Sequence, residues 1–216
     1  MFLPEYSIPR FKFVTLKLPE YYFTIDKTAV EEFKDRGSKF IAYAFPVENA
    51  EAFKSFLRQL KKEHPKAVHH CFAYRLGTGT DNFRSSDDGE PSGTAGRPIL
   101  GQIDSRNLTN TAVIVVRYFG GTLLGVPGLI NAYKTATALV LQTIPVIRKQ
   151  VEQLYRIQFE YSQVNEVMQV LKNGNCSIYE QDFHLFPVIK AGIPNSRLEE
   201  VMHKLADLRN IEINNM

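Results

Sequence analysis

The chain has 216 residues, of which 44% are hydrophobic and 23% charged, a composition that is typical of a folded protein and argues against disorder. Its formal net charge at pH 7 is +3, too small for a chain dedicated to the nucleic-acid backbone. Two cysteines cannot supply a disulfide framework, no apolar run approaches the roughly 18 residues of a membrane span, and Pro4 and Pro9 break any signal-peptide core. We therefore expect a cytosolic protein of one or two domains.

Charge and glycine are unevenly distributed along the chain. Residues 1–144 contain 18 Lys and Arg against 14 Asp and Glu, whereas residues 145–216 contain 8 against 9. Ten of the 13 glycines lie between Gly77 and Gly128. Because glycine permits unusual backbone angles and close backbone approach, this window is the first place to look for a site.

The N-terminal half opens with residues 1–20, whose weak periodicity and several prolines predict an extension. Residues 38–47 are rich in aromatic and β-branched side chains and predict a strand. A helix is expected next, because apolar side chains recur with helical spacing at Phe53, Phe56, Leu57 and Leu60. Pro65 ends this helix, since the residue before a proline is pushed away from helical angles.

Residues 70–76 then alternate like a strand, and the stretch that follows, residues 77–110, is long, polar and glycine-rich. Residues 112–116 are continuously apolar, as a strand buried on both faces requires. Pro127 suits the first turn of an amphipathic helix, which Pro145 closes and whose apolar stripe is Leu129, Ala132, Tyr133, Ala136 and Val140. We place a domain boundary after residue 144.

Residues 145–216 follow the order β-α-β-β-α-β. Strands are predicted at 151–161, 176–182, 184–190 and 211–213, with helices around 164–171 and 198–205. Ser196 and Glu199 have the spacing of a capping box at the second helix. This order is that of a small ferredoxin-like α+β domain.

Three carboxylates lie within four positions of the segment 85–97. Asp87, Asp88 and Glu90 repel one another unless they are solvated, hydrogen-bonded or bridged by a cation. Oxygen ligands suit Mg²⁺ or Ca²⁺, although the spacing is not that of the twelve-residue calcium loop. The alternative is a solvated turn whose Asp side chains accept hydrogen bonds from the backbone.

A second glycine-rich loop joins the buried strand at 112–116 to the helix that follows it. Its Gly120-x-x-x-x-Gly125 spacing resembles the start of a P-loop, but Val126 and Pro127 replace the Lys and the Ser or Thr that bind phosphate and magnesium. No nucleotide triphosphatase is predicted. The free N–H groups of a helix N-terminus would favour an anion; alternatively, the glycines only let the helix pack closely on its strand.

Two further groups of residues have both a functional and a structural interpretation. His69, His70 and Cys71 have the chemistry of a zinc or cysteine-hydrolase site but lack a C-x-x-C or H-E-x-x-H partner, which favours a buried, inert thiol. His70 could act as a base only if the fold brings it beside the acidic loop. The basic face of the first helix is either solvated or follows a phosphate backbone, and it carries Lys54, Arg58, Lys61 and Lys62.

Four segments together resemble the YigZ/IMPACT family, over about residues 22–141: SKFI at 38–41, AVHHCFAY at 67–74, SSDDGEPSGTAGRPIL at 85–100 and VVRYFGGTLLGVPGLINAY at 115–133. The pairing of DDGEPSGTAG with RYFGG is far more specific than any short motif above. Residues 145–216 resemble the additional C-terminal domain of bacterial members.

The resemblance implies an α+β protein of two domains after the extension at 1–20. Residues 21–144 would form a ribosomal-protein-type β-α-β domain, like domain IV of elongation factor G, and residues 145–216 a ferredoxin-like domain. The eukaryotic relative acts in translational control by binding a partner of a stress kinase. Family members often carry Lys in place of Leu123, Arg in place of Asn131 and Gly in place of Pro127, while Arg97, Arg117 and Lys134 remain as cations.

We therefore expect a non-enzymatic binding protein of the cytoplasm, linked to translation or its regulation through RNA, the ribosome or a protein partner. No cofactor, metal, catalytic residue, membrane contact or DNA sequence specificity is expected. The candidate ligand- or anion-binding residues are His70, Asp87, Asp88, Glu90, Ser92, Gly93, Thr94, Arg97, Arg117, Tyr118, Gly120, Gly121 and Gly125.

Two alternatives come from other functional classes. One is a metal-assisted hydrolase of a small phosphate ester, in which Asp87, Asp88 and Glu90 bind Mg²⁺ and His70 is the base. The other is a scaffold that docks a protein partner through an exposed sheet face of the C-terminal domain.

Overall fold

The structure, a computed structural model, describes residues 19–79, 81–184 and 186–216. The extension predicted for residues 1–20 therefore lies almost entirely outside the described residues. In chain order, the strands of the N-terminal part are β1 (Tyr21–Thr24), β2 (Ala29–Asp35), β3 (Ser38–Pro46), β4 (His69–Arg75), β5 (Phe83–Ser86) and β6 (Thr111–Tyr118). Its helices are α1 (Ala50–Glu63), α2 (Gly96–Ser105) and α3 (Gly125–Gln142).

Five of these described strands form one antiparallel sheet in the order β2-β3-β6-β4-β5. The central strand β6 divides its side chains between two cores. Val113 and Val115 pack with α2 and α3 on one face, whereas Ile114 and Val116 pack on the other face with Phe53 and Leu60 of α1. Because both faces are covered, β6 is apolar from Ala112 to Val116, which confirms the strand predicted from this continuous apolar run.

The helix predicted from Phe53, Phe56, Leu57 and Leu60 is α1. Asn49 caps it, since its Oδ1 accepts a hydrogen bond from the N–H of Ala52 at 2.9 Å. The ring centroid of Phe53 lies 4.7 Å from that of Phe72 and 4.6 Å from that of Tyr74, so α1 is fixed to the sheet by aromatic contacts. The last turn ends where the N–H of His64 donates to the carbonyl of Leu60.

Residues 77–110, for which the sequence predicted no strand or helix, contain β5 and α2. The sequence GRPILGQIDS of α2 holds two glycines and a proline, and Gly96, Ile99 and Ile103 are its buried residues. Two buried isoleucines at i and i+4 are too few to reveal a helical period in a segment that also contains two glycines and a proline. The strands β1 and β2 were also not expected, since β2 alternates between exposed and half-buried side chains on a sheet edge.

In the C-terminal part the strands are β7 (Ile147–Gln150), β8 (Glu152–Gln158), β9 (Ser177–Asp182), β10 (Val188–Pro194) and β11 (Glu212–Asn215), and the helices are α4 (Val164–Asn173) and α5 (Leu198–Ala206). Four of the described strands form an antiparallel sheet in the order β11-β8-β10-β9. Its core packs Ile157, Ile189 and Ile193 against Val167 and Leu171 of α4 and Val201 and Leu205 of α5.

Two local predictions in this part are wrong. The strand predicted at 184–190, which includes a residue outside the described ranges, is shifted, because Ile189, Ala191 and Ile193 are the side chains that enter the core and β10 therefore runs to Pro194. The capping box at Ser196 is not formed. Residues Asn195–Arg197 make a 3₁₀ turn instead, and α5 begins at Leu198 without a side-chain cap.

A two-stranded antiparallel sheet connects the two parts of the chain. It pairs β1 with β7, so that Tyr22 lies opposite Lys149 and Phe23 opposite Arg148. The N–H of Val151 also donates to the carbonyl of Glu20 at 2.9 Å. Within the described ranges, no helix is both long and apolar enough to cross a membrane.

Candidate ligand-binding site

The carboxylate of Asp87 organises the acidic loop by accepting three backbone hydrogen bonds. The N–H groups of Gly93, Ala95 and Gly96 donate to it at 2.8 to 2.9 Å, so it satisfies otherwise free donors at the start of α2. Burial by itself would raise the pKa of Asp87, but these hydrogen bonds outweigh burial and hold the pKa below its ordinary value. This carboxylate therefore has a backbone-capping role.

Asp88 joins the loop to strand β4. It adopts a left-handed backbone conformation (φ +42°), and its Oδ2 accepts a hydrogen bond from the backbone N–H of His70 at 2.7 Å. Its carbonyl accepts a hydrogen bond from Nδ1 of His69 at 2.8 Å, and the ammonium of Lys61 lies 3.4 Å from its Oδ1. These contacts hold the loop against the first residues of β4.

Glu90 is the buried member of the three acidic residues. Its Oε1 lies 2.6 Å from Nη1 of Arg117, and the hydroxyl of Tyr133 donates to the same oxygen at 2.7 Å. The thiol of Cys71 lies 3.2 Å from that hydroxyl. A chain of polar contacts thus runs inward from Arg117 to Cys71 through otherwise apolar surroundings. Burial raises the pKa values of Cys71 and Tyr133, which keeps both groups neutral.

The three acidic side chains therefore do not converge on one point. Asp87 caps α2, Asp88 bonds to β4, and Glu90 pairs with Arg117. In the described part of the chain, no group of three His, Cys, Asp or Glu side chains is arranged to hold a metal ion. The sequence offered a solvated turn as the alternative to a metal site. Asp87 and Asp88 accept backbone hydrogen bonds as in such a turn, whereas Glu90 is buried and ion-paired.

The pleat of β4 separates His69 from His70. Cys71 and Ala73 face α2 and α3, whereas Phe72 and Tyr74 face α1. By the same alternation the imidazole of His70 lies beside the last turn of α1, where burial, followed by the charge of Lys61, lowers its pKa. The expectation that His70 joins the acidic loop through its side chain is thus not met. His69 takes that place, with Nε2 3.9 Å from Oε1 of Glu90.

Tyr118 is also not brought to the acidic loop. It alternates with Arg117 along β6, and its hydroxyl contacts Nδ1 of His64 at 2.8 Å on the α1 side of the sheet. Of the remaining predicted residues, Ser92 and Arg97 are exposed, and the buried Thr94 donates its hydroxyl hydrogen to the carbonyl of Pro91 at 2.6 Å. The first turn of α2 therefore presents Arg97 to solvent.

The second glycine-rich loop is packed against the turn between β2 and β3. A Cβ atom on Gly120 would lie 1.9 Å from the carbonyl carbon of Gly37, so only glycine fits there. The N–H of Gly120 donates to Oγ of Ser38 at 3.2 Å. Gly121 and Gly125 have positive φ angles of 85° and 69°, which glycine adopts without strain. At Gly120, then, the glycine serves close packing.

A cleft of about 360 Å³ lies between the two loops. His69, Glu90 and Arg117 form its polar floor, and Pro91, Leu124 and Leu129 also line it. Its walls hold large apolar side chains that remain exposed: Leu123 at 82%, Val68 at 54%, Val126 at 52% and Phe119 at 49%. The sequence did not identify these wall residues. For Phe119, Leu123 and Val126, the available signal was their apolar character within a glycine-rich loop.

All of these cleft residues lie within residues 36–141, the part of the chain that matches the family model of the Impact N-terminal domain. The chain is 36% identical over 182 residues to the IMPACT family member YigZ of Escherichia coli (strain K12), covering 83% of this chain and 88% of YigZ. The chain belongs to the IMPACT family, which confirms the resemblance found in the sequence.

The solved structures that match this chain include the following two. One, described as the crystal structure of a hypothetical protein, has a TM-score of 0.72 and 30% identity, and covers 92% of this chain and 98% of its own. The other is the structure of the two-domain translational regulator Yih1, which is 26% identical to this chain. That match covers 66% of this chain and 55% of the Yih1 chain, with a TM-score of 0.34.

Proposed function

We propose that this chain is a non-enzymatic binding protein that acts in translation or its regulation by binding RNA, the ribosome or a translation-related protein. The cleft between the two glycine-rich loops is the observation that carries the proposal. Exposed apolar walls above a small set of buried polar groups are typical of a binding site. Phe119, Leu123 and Val126 would bury apolar surface only when a partner covers them.

The translational part of the proposal rests on membership of the IMPACT family. The family resemblance implies translational control for a eukaryotic member, and Yih1 is described as a translational regulator. The two free cysteines, one buried and one half-buried, agree with a reducing compartment, and we therefore propose a cytoplasmic location.

The side chains at the cleft favour binding over catalysis. The thiol of Cys71 is buried, and its raised pKa opposes formation of the thiolate that a nucleophile needs. The metal-assisted hydrolase requires Asp87, Asp88, Glu90 and His70 to converge, but Asp87 caps α2 and Glu90 pairs with Arg117. Asp88 bonds to the backbone N–H of His70 and not to its imidazole. We therefore favour binding over the hydrolase.

We further propose that residues 21–144 and 145–216 are two domains, the first like domain IV of elongation factor G and the second ferredoxin-like. The order β11-β8-β10-β9, with two helices packed on the sheet, supports the second assignment. The β1–β7 pairing and the hydrogen bond from Nδ2 of Asn195 to the carbonyl of Pro19 at 2.8 Å would limit how independently the two domains move.

RNA contact is tested by a salt-dependent titration of a short single-stranded RNA. Arg97 is exposed beside the cleft loop, where its charge helps to lower the pKa of Asp87, and its guanidinium is open to solvent for contact with a phosphate. We expect affinity to fall as salt is raised. We expect Arg97→Ala to weaken binding and to reduce the slope of log K against log salt by about 0.7 for one lost contact.

Arg209→Ala is the matched control, because Arg209 is also exposed but lies in the C-terminal part. It removes the same charge and should leave the slope unchanged. An RNA affinity that does not respond to salt, or no binding at low salt, would contradict the RNA part of the proposal.

A further inference from the structure

We infer that the cleft binds a nucleobase of single-stranded RNA, a neutral planar ring stacked on Phe119 with its polar edge on the floor. This inference rests on the RNA part of the proposed function and names the chemical group that is recognised. Three features of the cleft support it: the charge of the floor, the hydrogen-bonding groups on the floor, and the aromatic wall.

The floor is electrically balanced, which argues against an anionic occupant. Arg117 and Glu90 form an ion pair at 2.6 Å, and their side chains are only 7% and 3% exposed. A phosphate or carboxylate placed on this floor would be attracted by Arg117 but repelled by Glu90 at a similar distance, and it would also lose its hydration. A neutral group avoids both costs, so phosphates are better placed outside the cleft.

The floor nevertheless offers a group that needs a polar partner. Nδ1 of His69 donates to the carbonyl of Asp88 at 2.8 Å, so Nε2 is an acceptor whenever the ring is neutral. A hydrocarbon side chain would leave Nε2 unpaired, whereas the edge of a nucleobase carries donors that can reach it.

The wall supplies a stacking surface for a flat ring. Phe119 is 49% exposed, and its ring centroid lies 5.8 Å from Cζ of Arg117, which packs between Phe119 and Phe40. Leu123 and Val126 stand on the neighbouring wall. The volume of about 360 Å³ is that of a small-molecule pocket, which typically spans about 300–1,000 Å³. A single base is thus the right size and shape of occupant.

The test compares RNA with an oligonucleotide of equal length that keeps the sugar-phosphate backbone but lacks bases. Fluorescence anisotropy at fixed salt should show that Phe119→Ala binds RNA about tenfold or more weakly, as expected when a stacking ring is lost. Phe119→Tyr should bind normally because it retains the ring. The oligonucleotide without bases should bind weakly and should not distinguish these variants.

Phe186→Ala is the matched control, since Phe186 is 64% exposed in the C-terminal part. Substitutions at His69 test the floor separately. His69→Asn retains a donor where Nδ1 stands but removes the acceptor at Nε2, and should weaken RNA binding several-fold. His69→Asn must keep the unfolding midpoint of the original chain, because the bond to Asp88 is retained.

The outcomes separate this inference from the proposed function. If the chain binds RNA in a salt-dependent manner but Phe119→Ala equals Phe186→Ala, or the base-free oligonucleotide binds equally well, the inference is wrong and the function stands. If the chain binds no RNA, the inference and the RNA part of the proposed function both fail. If the amide resonances of Gly121 and Gly125 respond to a Leu- and Phe-rich peptide but not to nucleosides, the cleft docks protein and the inference is wrong.

Discussion

Replacing Arg117 by leucine should reveal how strongly the buried ion pair depends on both partners. In the variant, Glu90 keeps the hydroxyl of Tyr133 at 2.7 Å but loses the guanidinium at 2.6 Å, while its side chain stays 3% exposed. An uncompensated buried charge typically costs about 3–5 kcal/mol. We therefore expect Arg117→Leu to lower the free energy of unfolding by about that amount.

The double variant Arg117→Leu/Glu90→Leu tests the reasoning behind this magnitude. If the cost comes from an unpaired charge, removing the second charge restores part of the loss, and the coupling free energy should be at least about 1.5 kcal/mol. Urea denaturation followed by circular dichroism measures the free energy of unfolding of the original chain, the two single variants and the double variant.

The matched control is the pair formed by Lys204 and Glu200 on α5, which is almost as short at 2.7 Å but is 48% and 43% exposed. Single substitutions there should barely move the urea midpoint, because water screens the pair. The reasoning is refuted if the losses of unfolding free energy at Arg117 and Glu90 simply add. It is also refuted if either single variant is as stable as the original chain, because an unpaired buried charge would then carry no cost.

Two more predictions concern the loops around the cleft. Gly120→Ala should destabilise the fold by about 3 kcal/mol or more, because its Cβ would lie 1.9 Å from the carbonyl carbon of Gly37; Gly101→Ala on the exposed face of α2, where the Cβ meets nothing within 4 Å, should instead stabilise by about 0.5–1 kcal/mol. Equal melting temperatures for the two would contradict the packing role. The lowered pKa of Asp87 means that its contribution to stability is present above the ordinary carboxyl pKa of 3.8 and is lost as the pH falls through the lower value in the folded chain. Asp87→Asn should therefore cost about 1–3 kcal/mol at pH 7 and less under acidic conditions, measured by urea titration at several pH values; a cost that is independent of pH would show that the charge of Asp87 is not what stabilises α2.

The sequence by itself was enough to predict those helices and strands whose buried side chains form a periodic or continuous apolar pattern along the chain. The central strand β6 is apolar at consecutive positions because a core covers each face of the sheet, and α1 and α3 repeat their buried side chains every three or four residues. The order β-α-β-β-α-β of the C-terminal part could be predicted from the sequence for the same reason. Local pattern and burial agree in these elements.

Helices and strands that bury few of their own side chains could not be predicted from the sequence. Helix α2 begins with glycine and proline and contributes Ile99 and Ile103 to the core, and the edge strand β5 has no buried residue. The pairing of β1 with β7 joins Tyr21 to Gln150, residues far apart along the chain. Their structure depends on partners that a local window of sequence does not contain.

The candidate site likewise has some features that the sequence predicted and others that only the tertiary structure decided. The loop containing Asp87 and Glu90 was identifiable from its composition, but the choice between His69 and His70 depends on the pleat of β4, which turns neighbouring side chains to opposite faces. The partners of Glu90 lie 27 and 43 residues away at Arg117 and Tyr133. A buried charge requires a partner, and only the tertiary structure decides which residue provides it.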